Sequence, residues 1–159
     1  MNAVDVLKYG HQTILSTLEN VPESEWETAG VCGVWSVKDI IVHLASYEYV
    51  LIDISKTLTD GGATPYLDEF SKYDGTFNDG EVDKRKGNST SDALAEFNDV
   101  QAQVMTMIEN IPAETCRQTG TLPWYGEEYA LDDLIAYMFY GHKREHAAEI
   151  NVFKDQLER

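Results

Sequence analysis

Two histidines near the C-terminus have the spacing of metal ligands. His142 and His146 lie four residues apart in the segment 131–153, whose apolar residues recur at helical intervals, so both rings project from one face of an α-helix. That face is apolar, and a buried imidazole without a polar partner is costly. One shared metal ion would satisfy both rings. The same helical wheel turns Lys143 and Arg144 toward solvent.

A third histidine strengthens the prediction of a metal site. His43 lies on the apolar stripe of an upstream helix, together with Ile40, Val50 and Ile54. Three imidazoles suit Zn²⁺, Ni²⁺, Cu²⁺ or Fe²⁺ and leave coordination positions open for water or substrate. Position 143 is lysine, so the glutamate base of the H-E-x-x-H motif of zinc proteases is missing.

The fourth histidine is interpreted differently. His11 also lies on an apolar stripe, that of the first helix, but no second candidate ligand is spaced to join it. A structural or partly exposed histidine is the favoured interpretation, with a ligand or pocket role as the alternative.

Other residues are candidates for the surroundings of this site. Glu149 follows His146 by nearly one helical turn and is predicted to orient a histidine or to act as a general base; a solvent-exposed glutamate is the alternative. A substrate pocket is predicted to be lined by Tyr47, Met138 and Phe139, with aromatic residues of a long loop. Cys32 leads into the second helix and is expected near the site.

Composition narrows the classes of partner. The chain has 159 residues, and its 28 acidic and 12 basic side chains give a formal net charge of −16, which disfavours nucleic acids and anionic membranes. No apolar run approaches the length of a membrane span, and no secretory signal is visible at the N-terminus. A cytoplasmic location is predicted, with Cys32 and Cys116 as reduced thiols.

Four amphipathic helices would position these residues. Helical periodicity predicts them over 3–20, 36–58, 91–110 and from 131 almost to the C-terminus, with Ser36 capping the second. The irregular segment 64–90 is long enough to cross a bundle. The prediction is one all-α domain, 1–159, a four-helix bundle with a long crossover between helices 2 and 3. Helices 1 and 2 are expected to be antiparallel, and so are helices 3 and 4.

Two motifs in this order resemble the DinB/YfiT superfamily. They are G-V-W-S-V-K-D-I-I-V-H-L-A at 33–45 and G-H-K-R-E-H-A-A-E-I at 141–150, and the likeness covers nearly the whole chain. The crossover sequence F-N-D-G-E-V-D-K-R-K-G-N-S at 77–89 also resembles the ClbS/DfsB-type branch. Helix 4 of that branch typically lacks the histidines present here, which favours the metal-binding branch.

The resemblance implies a fold, a metal site and a class of function. It implies a four-helix bundle with a right-handed crossover, a homodimer, and a metal triad at His43, His142 and His146. The implied function is a thiol-dependent S-transferase or isomerase, or a hydrolase, acting on a small electrophilic molecule. The cofactors would be a divalent metal, zinc or nickel, and a low-molecular-weight thiol. A non-catalytic metal- or ligand-binding protective bundle and a purely structural bundle remain the alternatives.

Overall fold

The fold consists of helices joined by loops. A computed structural model describes residues 2–59 and 61–159, and these ranges contain no β-strand. The helices are α1 (Ala3–Leu18), α2 (Val37–Thr57), α3 (Pro65–Phe70), α4 (Phe77–Lys84), α5 (Thr90–Glu109), α6 (Ala113–Arg117), α7 (Leu131–Leu134) and α8 (His142–Leu157). A π-helical segment, Ile135–Gly141, joins α7 to α8 in one continuous helix. Among the described helices, none combines the length and apolar character needed to cross a membrane.

Local hydrogen bonds define where the long helices begin. Ser36 accepts a hydrogen bond from the Asp39 backbone N–H through Oγ at 3.1 Å, and the Asp39 carboxylate accepts one from the Ser36 N–H at 2.9 Å. This reciprocal pair is a capping box. Asn2 and Ser89 cap α1 and α5 in the same way through their side-chain oxygens. The predicted start of the second helix is therefore confirmed.

The four long helices enclose one apolar core, as the all-α bundle prediction requires. Each contributes fully buried aliphatic or aromatic side chains, such as Ile14, Leu44, Phe97 and Ile150. Apolar burial of this kind stabilises the fold by roughly 1.5–3 kcal/mol per large side chain. The helix stripes predicted from periodicity thus coincide with the core.

The crossover between α2 and α5 runs back along α2. It begins where Asp53 accepts hydrogen bonds from the backbone N–H groups of Tyr66 and Leu67, at 2.7 and 3.1 Å. It ends near the start of α2, where the Lys38 ammonium donates to the carbonyl of Asn88 at 3.0 Å. The chain therefore enters α5 at the N-terminal end of α2, and the two helices run parallel. This traverse of the bundle was predicted from the length of the segment.

Contacts along the helices give the directions of the other two. The Gln101 amide of α5 donates to the carbonyl of Leu7 in α1 at 3.4 Å, and His11 lies 2.9 Å from Asn98. Residues further along α1 therefore meet residues earlier in α5, which makes these helices antiparallel. The C-terminal helix runs with α1, because its start lies near the start of α1 and Asn151 lies near the end of α1. In the bundle, α1 and α2 are thus antiparallel, and so are α5 and the C-terminal helix, as predicted for helices 1 and 2 and for helices 3 and 4 of the sequence.

One sequence-based expectation for the C-terminal helix is wrong. Lys143 was predicted to face solvent, but only 1% of it is exposed. Its side chain lies on a second buried face of the helix, where α1 packs and where Gly10 leaves room beside Lys143 and Tyr140. Arg144 is exposed as expected. The helical wheel failed at Lys143 because it allowed the helix only one buried face.

Candidate metal centre

Two helices bring three histidines to one point inside the bundle. His43 lies in the second turn of α2, on its buried face. His142 and His146 lie in the first two turns of α8. The Nε2 atom of His142 lies 3.0 Å from that of His43 and 2.9 Å from that of His146. His43 and His146 are only 2% and 7% exposed. The convergence predicted from helical phase is confirmed.

Hydrogen bonds on the far side of two rings fix where their protons lie. His146 Nδ1 lies 2.7 Å from a carboxylate oxygen of Glu149, so it carries the proton and donates. The His142 ring hydrogen-bonds to the backbone carbonyl of Met138. Because His142 Nε2 faces the other histidines, this bond uses Nδ1–H. When both imidazoles are neutral, each has a single N–H, and both Nε2 atoms then present lone pairs to each other.

A cation would resolve this arrangement of facing acceptors. Two lone pairs 2.9 Å apart repel each other unless a proton or a metal ion lies between them. Two nitrogen ligands at about 2.1 Å from one ion and at right angles to each other are about 3.0 Å apart. The His43–His142 and His142–His146 pairs of Nε2 atoms, 3.0 and 2.9 Å apart, meet this condition. His43, His142 and His146 could therefore hold a metal ion, and their chemistry suits a divalent transition metal.

Burial keeps His43 and His142 neutral, as metal ligands must be. Burial lowers the pKa of His43 to about 2, helped by the nearby His142 and His146. Burial also lowers the pKa of His142 to about 4, with contributions from His146 and Lys143 that outweigh the hydrogen bond to Met138. Neutral imidazole is the form that binds metal. At neutral pH these two rings need lose no proton before an ion binds.

The site belongs to a chain whose sequence matches a known family over most of its length. The family model of the DinB superfamily matches residues 7–150. This chain belongs to the DinB superfamily. Comparison with curated proteins and with solved structures gave no significant match. The resemblance suggested by the 33–45 and 141–150 motifs is thus confirmed at the level of the family.

Aromatic rings wall the histidine cluster of this DinB-superfamily bundle. The Trp35 ring lies 4.7 Å from that of His43, and the Tyr47 ring lies 4.8 Å from His43 and 4.7 Å from His142, centroid to centroid. Tyr47 was predicted to lie beside the site. Trp35 was not predicted there, although it lies just before the capped start of α2, about two helical turns from His43.

Glu149 and Cys32 lie on one side of the cluster. The Cys32 sulfur, a ring nitrogen of His146 and a carboxylate oxygen of Glu149 lie within 4.8 Å of one another. Burial raises the pKa of the Cys32 thiol, and the charge of Glu149 raises it further. Of the roles considered for Glu149, its geometry favours orientation of His146. Cys32 lies near the site, as its place in the sequence suggested.

Met138 and Phe139, the pocket residues predicted from the C-terminal helix, pack in or against the core. Phe139 is 2% exposed and belongs to the core, and Met138 is partly buried against that core. Neither lines the cavity next to Tyr47. Both lie in the π-helical segment, where the His142 N–H bonds to the carbonyl of Tyr137, five residues earlier. The wider turn rotates these residues away from the phase of a regular helix.

His11 stays apart from the other histidines. Its ring packs 4.4 Å from that of Phe97, and its Nε2 lies 2.9 Å from the Asn98 side-chain oxygen. Burial lowers the pKa of His11 to about 4, with the Lys143 charge as a second cause. No group of potential ligands within the described ranges includes His11. The structural interpretation of this histidine is the one its contacts support.

Proposed function

We propose that this protein is a metal-dependent enzyme that promotes attack of a low-molecular-weight thiol, or of water, on a small electrophilic molecule. The observation that carries the proposal is the position of the His142 Nε2 atom, which lies 3.0 Å from that of His43 and 2.9 Å from that of His146. Three protein ligands leave coordination positions for a reactant. A divalent ion in this place, with zinc and nickel as our candidates, would lower the pKa of a coordinated thiol or water.

The side chains around the ion would hold and orient the reactants. Glu149 accepts a hydrogen bond from His146 Nδ1, which would direct the Nε2 lone pair toward a bound ion. Tyr47 and Trp35 present aromatic walls to the histidines, and such walls exclude water and pack against an apolar substrate. In thiol transfer, the sulfur forms a bond to the electrophilic carbon, the leaving group departs with its electron pair, and the thiol proton passes to solvent.

Metal content is the first test of the proposal. The purified protein would be loaded with Zn²⁺ or Ni²⁺, passed through a desalting column and analysed for bound metal, beside His43→Ala and His11→Ala. We expect about one ion per chain in the wild type and in His11→Ala, and none retained by His43→Ala. His11 is the matched control because it is a partly buried histidine away from the cluster. Retention of the ion by His43→Ala would refute the three-histidine site.

Activity is the second test. The loaded protein would be incubated with glutathione or cysteine and a chloronitrobenzene, and the thioether product and released chloride would be measured; an activated ester would be used to measure hydrolysis. We expect turnover that disappears on chelation and in His43→Ala. A protein that binds one ion but catalyses neither reaction would instead be the non-catalytic metal-binding bundle.

A further inference from the structure

A cavity lined by aromatic side chains lies next to the histidine cluster. It has a volume of about 250 Å³ and is formed where α3, α4 and the loop between them cover α2. Its aromatic lining consists of Tyr47, Phe70, Tyr73 and Phe77. Tyr47 is the wall that the cavity shares with His43 and His142. An occupant of the cavity would therefore be separated from the candidate metal centre by the width of one ring.

The four rings stand at steep angles to one another, like the walls of a box. Phe70 lies 5.6 Å from Tyr47 at an interplanar angle of 79°, and 5.5 Å from Phe77 at 85°. Tyr73 lies 5.9 Å from Phe70 at 62°. The four aromatic side chains border one cavity. The face of an aromatic ring carries the negative part of its quadrupole.

The outer wall of this box has an unusual backbone conformation. Tyr73 has a φ of 50°, and no other non-glycine residue in the described ranges has a positive φ. Left-handed conformations of bulky residues cost free energy and occur preferentially at functional sites. Tyr73 is also 65% exposed, so burial of its ring does not compensate for this cost. Its conformation places an aromatic side chain on the rim of the cavity.

The charge at the rim is negative. Asp74 lines the cavity, and its Oδ1 accepts hydrogen bonds from the Thr76 N–H at 3.0 Å and the Thr76 hydroxyl at 2.6 Å. These bonds lower the pKa of Asp74, so the carboxylate is charged at neutral pH. Lys72, the basic side chain of the loop between α3 and α4, also contributes to this lowering, but its ammonium is paired with Glu69 at 2.6 Å. The net charge of −16 attracts cations to the whole molecule.

We propose that this cavity binds an alkylated ammonium group. Several aromatic side chains with one carboxylate at the rim are the composition of the cages that hold quaternary ammonium ions through cation–π attraction. The polar lining adds Asn78, which hydrogen-bonds to the Tyr47 hydroxyl and steadies that shared wall. As a statement about substrate, the assignment rests on the proposed function: the electrophile would carry a cationic group placed beside the metal. As a statement about binding, it stands on the cavity alone.

A matched pair of probes separates cation recognition from simple apolar binding. Choline and 3,3-dimethylbutan-1-ol have the same shape, and they differ in one atom, a charged nitrogen against a neutral carbon. Each would be titrated into ¹⁵N-labelled protein at constant ionic strength, with and without a chelator. We expect choline to shift the resonances of residues 70–78 saturably and to bind about threefold or more tightly than the neutral alcohol. Equal or tighter binding of the alcohol would overturn the proposal.

Variants locate the binding to the cavity. Tyr73→Leu should weaken choline binding roughly two- to fivefold by removing one ring face, and Asp74→Asn should weaken it while keeping the oxygen that accepts from Thr76. Tyr9→Leu is the matched control, because Tyr9 is an exposed tyrosine on α1. Equal effects of Tyr73→Leu and Tyr9→Leu, or shifts away from residues 70–78, would also overturn it.

The two proposals can fail separately. Metal content would be measured on the same samples used for the choline titration. Choline binding by a protein that retains no metal would refute the metal-dependent function and leave the ammonium site standing. One bound ion without preference for choline would refute the ammonium site and leave the metal centre standing.

Discussion

Glu48 of α2 and Lys143 of α8 form an ion pair in the interior of the bundle. Their side chains are 0% and 2% exposed. No backbone or hydroxyl donor in the described ranges reaches the Glu48 carboxylate, so the Lys143 ammonium is what compensates its charge. Lys143 also lies 3.4 Å from the Gln101 side-chain oxygen and above the ring of Phe97. Lys143 follows His142 directly. The ion pair is therefore a second contact between α8 and α2, next to the one that the histidines make.

We expect loss of the lysine charge to destabilise the fold strongly. Lys143→Met would leave the buried Glu48 carboxylate without its partner, a change that typically costs about 3–5 kcal/mol of unfolding free energy. Urea denaturation followed by circular dichroism would measure it. Arg144→Met is the control, since Arg144 is the exposed neighbour and its replacement should change stability by less than about 0.5 kcal/mol.

Removal of both charges should cost less than removal of one. In Glu48→Gln with Lys143→Met, no unpaired charge remains in the core, and apolar or neutral replacement of a buried pair is often well tolerated. We therefore expect the double variant to be more stable than Lys143→Met alone. A double-mutant cycle in urea gives the coupling. Additive losses would show that the two side chains stabilise the fold independently.

Glu149 should influence metal affinity through His146. The Glu149 carboxylate accepts from His146 Nδ1 at 2.7 Å, and loss of such a partner typically weakens metal binding by about 10- to 100-fold. We expect Glu149→Ala to show this loss in competition with a chromogenic chelator. Glu145→Ala, an exposed position on the same helix, should bind the ion like the wild type. If the two variants have equal affinity, Glu149 does not orient the ligand.

Removal of the metal should leave the helices folded. The core consists of apolar side chains from four helices, and each large one contributes about 1.5–3 kcal/mol without help from an ion. We expect a chelator to lower the melting temperature of the loaded protein by less than about 10 °C, with no change in the helical circular dichroism at room temperature. Complete unfolding on chelation would identify the metal as structural.

His11 should make stability fall on acidification. Its pKa is about 4 in the folded protein and about 6.5 in an unfolded chain. Between these values the unfolded chain binds the extra proton, so the unfolding free energy falls as pH falls from about 6.5 to about 4, by at most about 1.4 kcal/mol per pH unit. His11→Gln cannot titrate and should lose less stability over this range. Urea denaturation at several pH values would measure the difference in unfolding free energy between the wild type and His11→Gln. Contributions from the other histidines cancel in this difference.

Helical phase, together with the family resemblance, predicted which histidines meet. His43, His142 and His146 lie on stripes set by the 3.6-residue period, and the stripes became the core because apolar side chains must leave water. The same local logic predicted the cap at Ser36 and the traverse of the crossover, whose length far exceeds that of a helix hairpin. These features depend on neighbours in sequence, which periodicity and capping describe well.

Only the tertiary structure decided how the other faces are used. Lys143 is buried because α1 packs on a second side of α8 with Gly10 at the contact, and its charge is balanced by Glu48 from a third helix. Phe139 belongs to the core and lies in a π-helical segment that no periodicity announces. The aromatic box depends on the path by which Phe70, Tyr73 and Phe77 are folded onto Tyr47. Such contacts join residues distant in sequence, and their free energies depend on which helices become neighbours. A helical wheel describes one helix alone and does not include its neighbours.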